Sequence, residues 1–166
     1  MNSRVVSRIR SSILSSWVLS RASAGIFMAY QVGTNLSVAI KQMDLDKQLK
    51  KDLTLNELLV TRASRHQNIV NYIDSFLYKN ELWIVMEYME GGSLTDVVTA
   101  NPMTEGQIAA VSRETAQGLQ HLHKHGVIHR DIKSDNVLLS LTGDIKLSAY
   151  NGLLSYDSIP DWRHIP

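Results

Sequence analysis

The sequence predicts an α+β fold in which strands come first and helices second. Three observations carry this: aromatic and β-branched runs paired across turn residues between Ile26 and Tyr88, a helical apolar period from Lys50 to Ser64, and a longer helical stretch from Thr104 to Lys124. Segregated elements of this kind indicate an antiparallel sheet with helices set to one side, whereas strict alternation would indicate a parallel sheet.

Taken in order, the chain opens with a basic lead, Met1 to Arg21, that holds four arginines, seven serines and no acid. Asp44 is the first acidic residue. Such an imbalance fits a mitochondrial transit peptide, and it fits equally a short basic lead ahead of a domain or an imperfect start, so a cytoplasmic location is the expectation and a mitochondrial one the alternative. Ile26 to Gln31 and Ser37 to Met43 read as two strands joined at Gly33, Thr34 and Asn35. Leu53, Leu55, Leu58, Leu59 and Ala63 then recur on a helical period with no intervening Gly or Pro. Ile69 to Leu77 and Glu81 to Tyr88 form a second hairpin around Lys79 and Asn80. Gly91 and Gly92 are expected to break the sheet, and Ser93 to cap a short helix. Thr104 with Glu105 opens the long helix, and Gly126 ends it. Two short strands follow, near Asn136 to Ser140 and Asp144 to Leu147, hinged on Thr142 and Gly143.

Composition excludes several classes. At 166 residues the chain suits one domain with its own core. Its 44% apolar and 20% charged content is that of a globular protein, not a disordered or collagenous one. A net charge of +1 supplies no drive toward nucleic acid or an anionic membrane. The absence of cysteine removes disulfides, thiolate metal sites and thiol nucleophiles. No apolar run approaches the roughly 20 residues of a transmembrane helix, so a soluble or peripheral protein is expected.

The most specific constellation is His129-Arg130-Asp131-Ile132-Lys133-Ser134-Asp135-Asn136, which matches the catalytic-loop pattern of protein kinases in residue type and spacing. Phosphoryl transfer needs a carboxylate to orient the attacking hydroxyl and an oxygen ligand to help hold magnesium on the phosphates. Asp131 and Asn136 are the candidates, with Asn136 the metal ligand, and Lys133 can offset charge on the transferring phosphate. Upstream, Val38-Ala39-Ile40-Lys41 ends a strand on a lysine, and Glu57 follows sixteen residues later on the predicted helix. An ammonium beside the α- and β-phosphates needs such a carboxylate to fix it.

From about Ala22 to Leu147 the chain resembles the p21-activated kinase family of serine/threonine kinases, in a fungal-type form. The resemblance rests on Val38 to Met43, on Asn68-Ile69-Val70-Asn71-Tyr72, on Val85 to Val98, and on the catalytic loop with Ser134-Asp135-Asn136. It implies a five-stranded N-lobe sheet with helix C and the first part of a helical C-lobe. It also implies ATP and Mg2+ as cofactors, with Met86 as gatekeeper, backbone groups of Glu87 and Met89 toward adenine, and Ile26, Ala39 and Leu138 around its ring. Met28 and Met43 read as ordinary packing residues. His121, His123 and His125 read as an imidazole-rich helix end without the carboxylate or thiolate that would complete a metal site.

Three departures bear on function. Where the family has Asp-Phe-Gly after Ile145-Lys146-Leu147-Ser148, this chain has Ala149-Tyr150-Asn151, so the magnesium-ligating carboxylate is missing. Asp144 and Asp157 are near in sequence. Where the family has a loop of three spaced glycines, Leu19 to Gly25 keeps only Gly25. After Asn151 the resemblance stops, which predicts a lead at 1–21, a partial kinase domain at 22–151 and an unrelated tail at 152–166, with roughly two fifths of a typical kinase domain absent. The apolar face of the 104–124 helix, with Ile108, Ala109, Val111, Ala116, Leu119 and Leu122, would then be left exposed to a protein partner. The resulting expectation is a kinase-family domain with impaired catalysis. The alternatives are a binding or scaffolding pseudokinase and a gene fragment without a function of its own.

Overall fold

A computed structural model describes residues 20–21, 26–31, 36–46, 58–59, 61–78, 80–148 and 154–155. The backbone divides into two compact units, residues 1–51 with 72–88 and residues 52–71 with 89–166.

The first unit is a five-stranded antiparallel sheet in the order β1-β2-β3-β5-β4. Its strands are β1 (Ser20–Arg21), β2 (Ile26–Gln31), β3 (Leu36–Asp44), β4 (Tyr72–Tyr78) and β5 (Glu81–Glu87). Alternation sorts its side chains. Val38, Ile40 and Val85 with Ala29 form a buried cluster on one face, against which Phe27, Phe76 and Trp83 pack. The other face carries Ala39 opposite Met86 and Met28, and Lys41 opposite Ile84 and Ile26. The expected turn at Gly33 to Asn35 lies outside the described residues.

The second unit contains α1 (Leu94–Ala100), α2 (Glu105–Lys124) and the short strands β6 (Gly92–Ser93), β7 (Val127–Ile128), β8 (Val137–Leu139), β9 (Ile145–Leu147) and β10 (Leu154–Ser155). Strands β6, β8 and β9 make one sheet, and β7 pairs with β10, so part of the tail after Asn151 is in register with the strand that follows α2. Both helices begin at capping boxes. Ser93 Oγ accepts from Asp96 N while Asp96 Oδ2 accepts from Ser93 N, and Thr104 with Gln107 repeats the exchange. Leu58, Leu59, Thr61, Arg62 and Ala63 are helical, as the 50–64 period requires, and the rest of that stretch lies outside the described residues. Among the described residues no helix is long and apolar enough to cross a membrane.

Two expectations are corrected. The second hairpin starts at Tyr72, three residues late, because Ile69 and Val70 are claimed by the other unit. Ile69 bridges Leu147, and Val70 N donates to Leu147 O, with both residues fully buried. Gly91 and Gly92 do not simply end pairing. Gly91 N donates to Leu139 O, a Cβ at position 91 would meet that oxygen at 2.8 Å, and Gly92 at φ 77° starts β6. The glycines let one strand lie close against β8.

The apolar face of α2 is divided. Val111 and Leu122 are buried in a core with Ile69, Val127, Val137, Ile145 and Leu147, and Leu119 packs against it. Ile108, Ala109 and Ala116 stay exposed. Gly118 lies on the covered side, where a Cβ would sit 2.7 Å from Asn68 O. Gly118→Ala is therefore expected to cost roughly 1–3 kcal/mol through overpacking, more than the ~1 kcal/mol that alanine gains in helix propensity. Gly106, with nothing within 4 Å, should show the opposite sign. Urea denaturation of both variants checks this, and a stabilised Gly118→Ala would contradict the close approach.

Candidate functional site

In the first unit the sheet places Ile26, Ala39, Lys41 and Met86 on a single face. Ala39 and Met86 are buried, and so is Lys41, only 5% exposed. A small residue opposite a long, flexible one suits a flat apolar slot, and an ammonium at its end suits an anion. Glu87 pairs with Val38 and so points its side chain to the opposite face, which leaves its backbone as the group available to a ligand. Glu57, expected to fix Lys41, lies outside the described residues.

In the second unit Met89 is buried, and its carbonyl accepts from Gly92 N. Leu138 is half-buried on β8, opposite Ser93 on one side and Lys146 on the other. The catalytic loop here is a closed hydrogen-bonded circuit. His129 Nε2 donates to Ser148 O at 2.9 Å, and Ser148 N donates to Asn136 O at 2.8 Å. Asn136 Nδ2 donates to both Asp131 O and Asp131 Oδ2, at 2.7 and 2.9 Å, and Asp131 N donates to His129 Nδ1 at 3.3 Å. The last bond fixes the tautomer: Nδ1 accepts, so the proton is on Nε2.

The circuit explains a backbone outlier. Arg130 has φ 66°, a left-handed conformation that costs an ordinary residue about 1–2 kcal/mol. It is held there because its neighbours on both sides are bonded, His129 through both ring nitrogens and Asp131 through its amide. The 3₁₀ turn Ser134–Asn136 is pinned from outside by Thr95 Oγ1, which donates to Ser134 Oγ at 2.7 Å. Lys133 Nζ lies 2.9 Å from Asp131 Oδ2, in a pair exposed enough to add little stability. Lys133 and then Asn136 hold the Asp131 carboxyl below the usual carboxylate range. It is ionised at neutral pH, and its acceptor oxygens can orient a hydroxyl.

Asp144 is committed elsewhere. Its Oδ2 accepts from Ser140 Oγ and Thr142 Oγ1, both at 2.8 Å, closing the β8–β9 turn. Ala149 and Asp157 lie outside the described residues. Ala149 is nevertheless the next residue after Ser148, whose amide and carbonyl both belong to the circuit.

Sequence reasoning singled out Asp131, Lys133 and Asn136, and the loop brings all three together. It missed the ring roles of His129, the Thr95 link and Asn68, whose Nδ2 donates to Glu114 Oε2 at 2.7 Å and to Ile145 O at 2.9 Å.

The protein kinase domain family matches residues 22–152. The chain belongs to that family. It is 76% identical over 129 residues to the serine/threonine-protein kinase SMU1 of Mycosarcoma maydis, covering 78% of this chain and 17% of that protein. It is 67% identical over 129 residues to the serine/threonine-protein kinase STE20 of Kluyveromyces lactis, covering 78% and 13%. Against the serine/threonine-protein kinase shk1/pak1 of Schizosaccharomyces pombe it is 61% identical over 137 residues, covering 82% and 21%. The chain thus spans about a fifth or less of the length of these relatives.

Membership brings ATP and Mg2+ as the family's cofactors. The purine fits the residues present: an alanine and a methionine opposite each other, with a buried lysine on the same face.

Proposed function

We propose that this domain binds a purine nucleotide as kinase domains do and transfers its terminal phosphate to protein serine or threonine poorly or not at all. The observation that carries the reading is Ala149. The circuit around Asp131 and Asn136 is complete up to Ser148, and the next residue lacks the carboxylate that would share a metal with Asn136. The segment Leu19 to Gly25, with one glycine, supports the same reading, because side chains there hinder close approach of backbone amides to phosphate. The solvent-facing part of α2, at Ile108, Ala109 and Ala116, is the surface assigned to a protein partner in this reading.

Purified protein is expected to transfer no γ-phosphate from magnesium-ATP to a generic basic protein substrate. Turnover that Asp131→Asn abolishes would sink this. Nucleotide binding is read separately by thermal shift: ATP should raise the melting temperature equally with and without magnesium, since only ligand bound to the native state stabilises it.

A further inference from the structure

Away from the loop, three imidazoles lie in a row. The rings of His66 and His121 stack 4.7 Å apart at 26°, and those of His121 and His125 are 4.4 Å apart and tilted at 43°. His66 lies on the loop before Ile69, while His121 and His125 lie one turn apart at the end of α2. We propose that these stacked rings are a proton-sensitive clamp, which holds the His66 loop on α2 and, through Asn68, steadies the strand β9 that leads to position 149.

Hydrogen bonds make the clamp directional. His66 Nδ1 accepts from Asn68 N at 3.1 Å, a bond that exists only while that nitrogen is unprotonated. Asn68 then reaches three ways: Nδ2 to Glu114 and to Ile145 O, and its own carbonyl to Leu147 N at 2.9 Å. That carbonyl also lies against Gly118, where only a glycine admits it. His125 Nδ1 donates to His121 O at 2.8 Å and anchors the outer ring to the helix end.

The central ring has the least room for charge. His121 Nε2 is buried, with no hydrogen-bond partner among the described residues, so a proton placed there would be left without an acceptor. The charged groups bearing on this ring are His66 from the loop and His125 and Lys124 from its own helix, all cationic when protonated. Glu114 is tied to Asn68 and Arg113. Burial, then the cationic neighbours, hold His121 below the ordinary histidine value despite the nearby helix C-terminus.

The sign follows. A ring whose native pKa is depressed stabilises the fold fully above the unfolded value of about 6.5, and that stability is lost as pH falls through the native value. Charging His121 places a cation against two further imidazoles, parts the stack, and draws His66 from Asn68 N. The device needs neither nucleotide nor catalysis.

The test is a histidine side-chain NMR titration of the full chain from about pH 7.5 to about pH 5, with amide-exchange protection measured alongside. His121 should titrate below about 6.5, and protection of the Asn68 and Leu147 amides should fall up to about tenfold per pH unit as it does. His121→Phe keeps a stacking ring without the proton and should flatten that fall. Protection that stays constant through the His121 titration overturns the proposal, as does a His121→Phe chain that loses protection like the parent. Should that variant fail to fold, the titration of the unmodified chain decides. His129, whose pKa burial also lowers, is unchanged in His121→Phe, so the difference between that variant and the parent isolates the His121 contribution.

Discussion

Ala149→Asp is expected to make nucleotide binding depend on magnesium, with at least about tenfold tighter ATP affinity in the presence of the metal, or about 1.4 kcal/mol. Asn136 is already buried and oriented by Asp131, and Ser148 fixes the backbone one residue before the substitution. A carboxylate added there supplies the hard oxygen donor that Mg2+ requires. Ala149→Asn, of the same size but uncharged, should give much less. Thermal-shift titration with and without magnesium measures both. If Ala149→Asp binds ATP no more tightly with magnesium than without, the missing carboxylate is not what separates this domain from a metal-dependent one. Full turnover is not expected of the variant, because the segment Leu19 to Gly25 still lacks two of the family's glycines.

The legible parts of this molecule were those written in local pattern. Period-two runs gave β2, β3 and β5, and the Ser93 and Thr104 caps gave both helix starts. Asp131, Lys133 and Asn136 were legible because the chemistry needs those residue types within one loop. What escaped was set by distant partners. Ile69 and Val70 have strand composition, but their ladder bonds go to Leu147, nearly eighty residues on, and no local pattern states that. Gly118 reads as a weak point in a helix until Asn68 O is seen against it. The α2 face read as exposed because its cover, β7 and β9, comes from short strands after the helix. His129 was recognised as part of a motif, while its ring bonds depend on Ser148, which the motif does not contain.

That ring is also where a single substitution should do most damage to the loop. His129 is 2% exposed and serves two backbone groups, so His129→Ala leaves Ser148 O without a donor and Asp131 N without an acceptor. At about 0.5–1.5 kcal/mol for each of the two part-buried hydrogen bonds lost, the expected loss is roughly 1–3 kcal/mol, before any cavity is counted. Arg130 should then leave its left-handed conformation, because the ring bonds that tie its two neighbours together are gone. The pH dependence identifies the cause. Burial pushes the His129 pKa down, against the opposing pull of Ser148 O and the Asp131 carboxylate. Its stabilisation is therefore complete above pH of about 6.5 and fades as pH falls through the native value, by up to about 1.4 kcal/mol per unit. Protonation adds a hydrogen to Nδ1, where Asp131 N already points one. Urea denaturation at a series of pH values should show His129→Ala destabilised at neutral pH and less sensitive to acid than the parent. Equal acid sensitivity in the two proteins would show that the ring does not hold the loop through its neutral form.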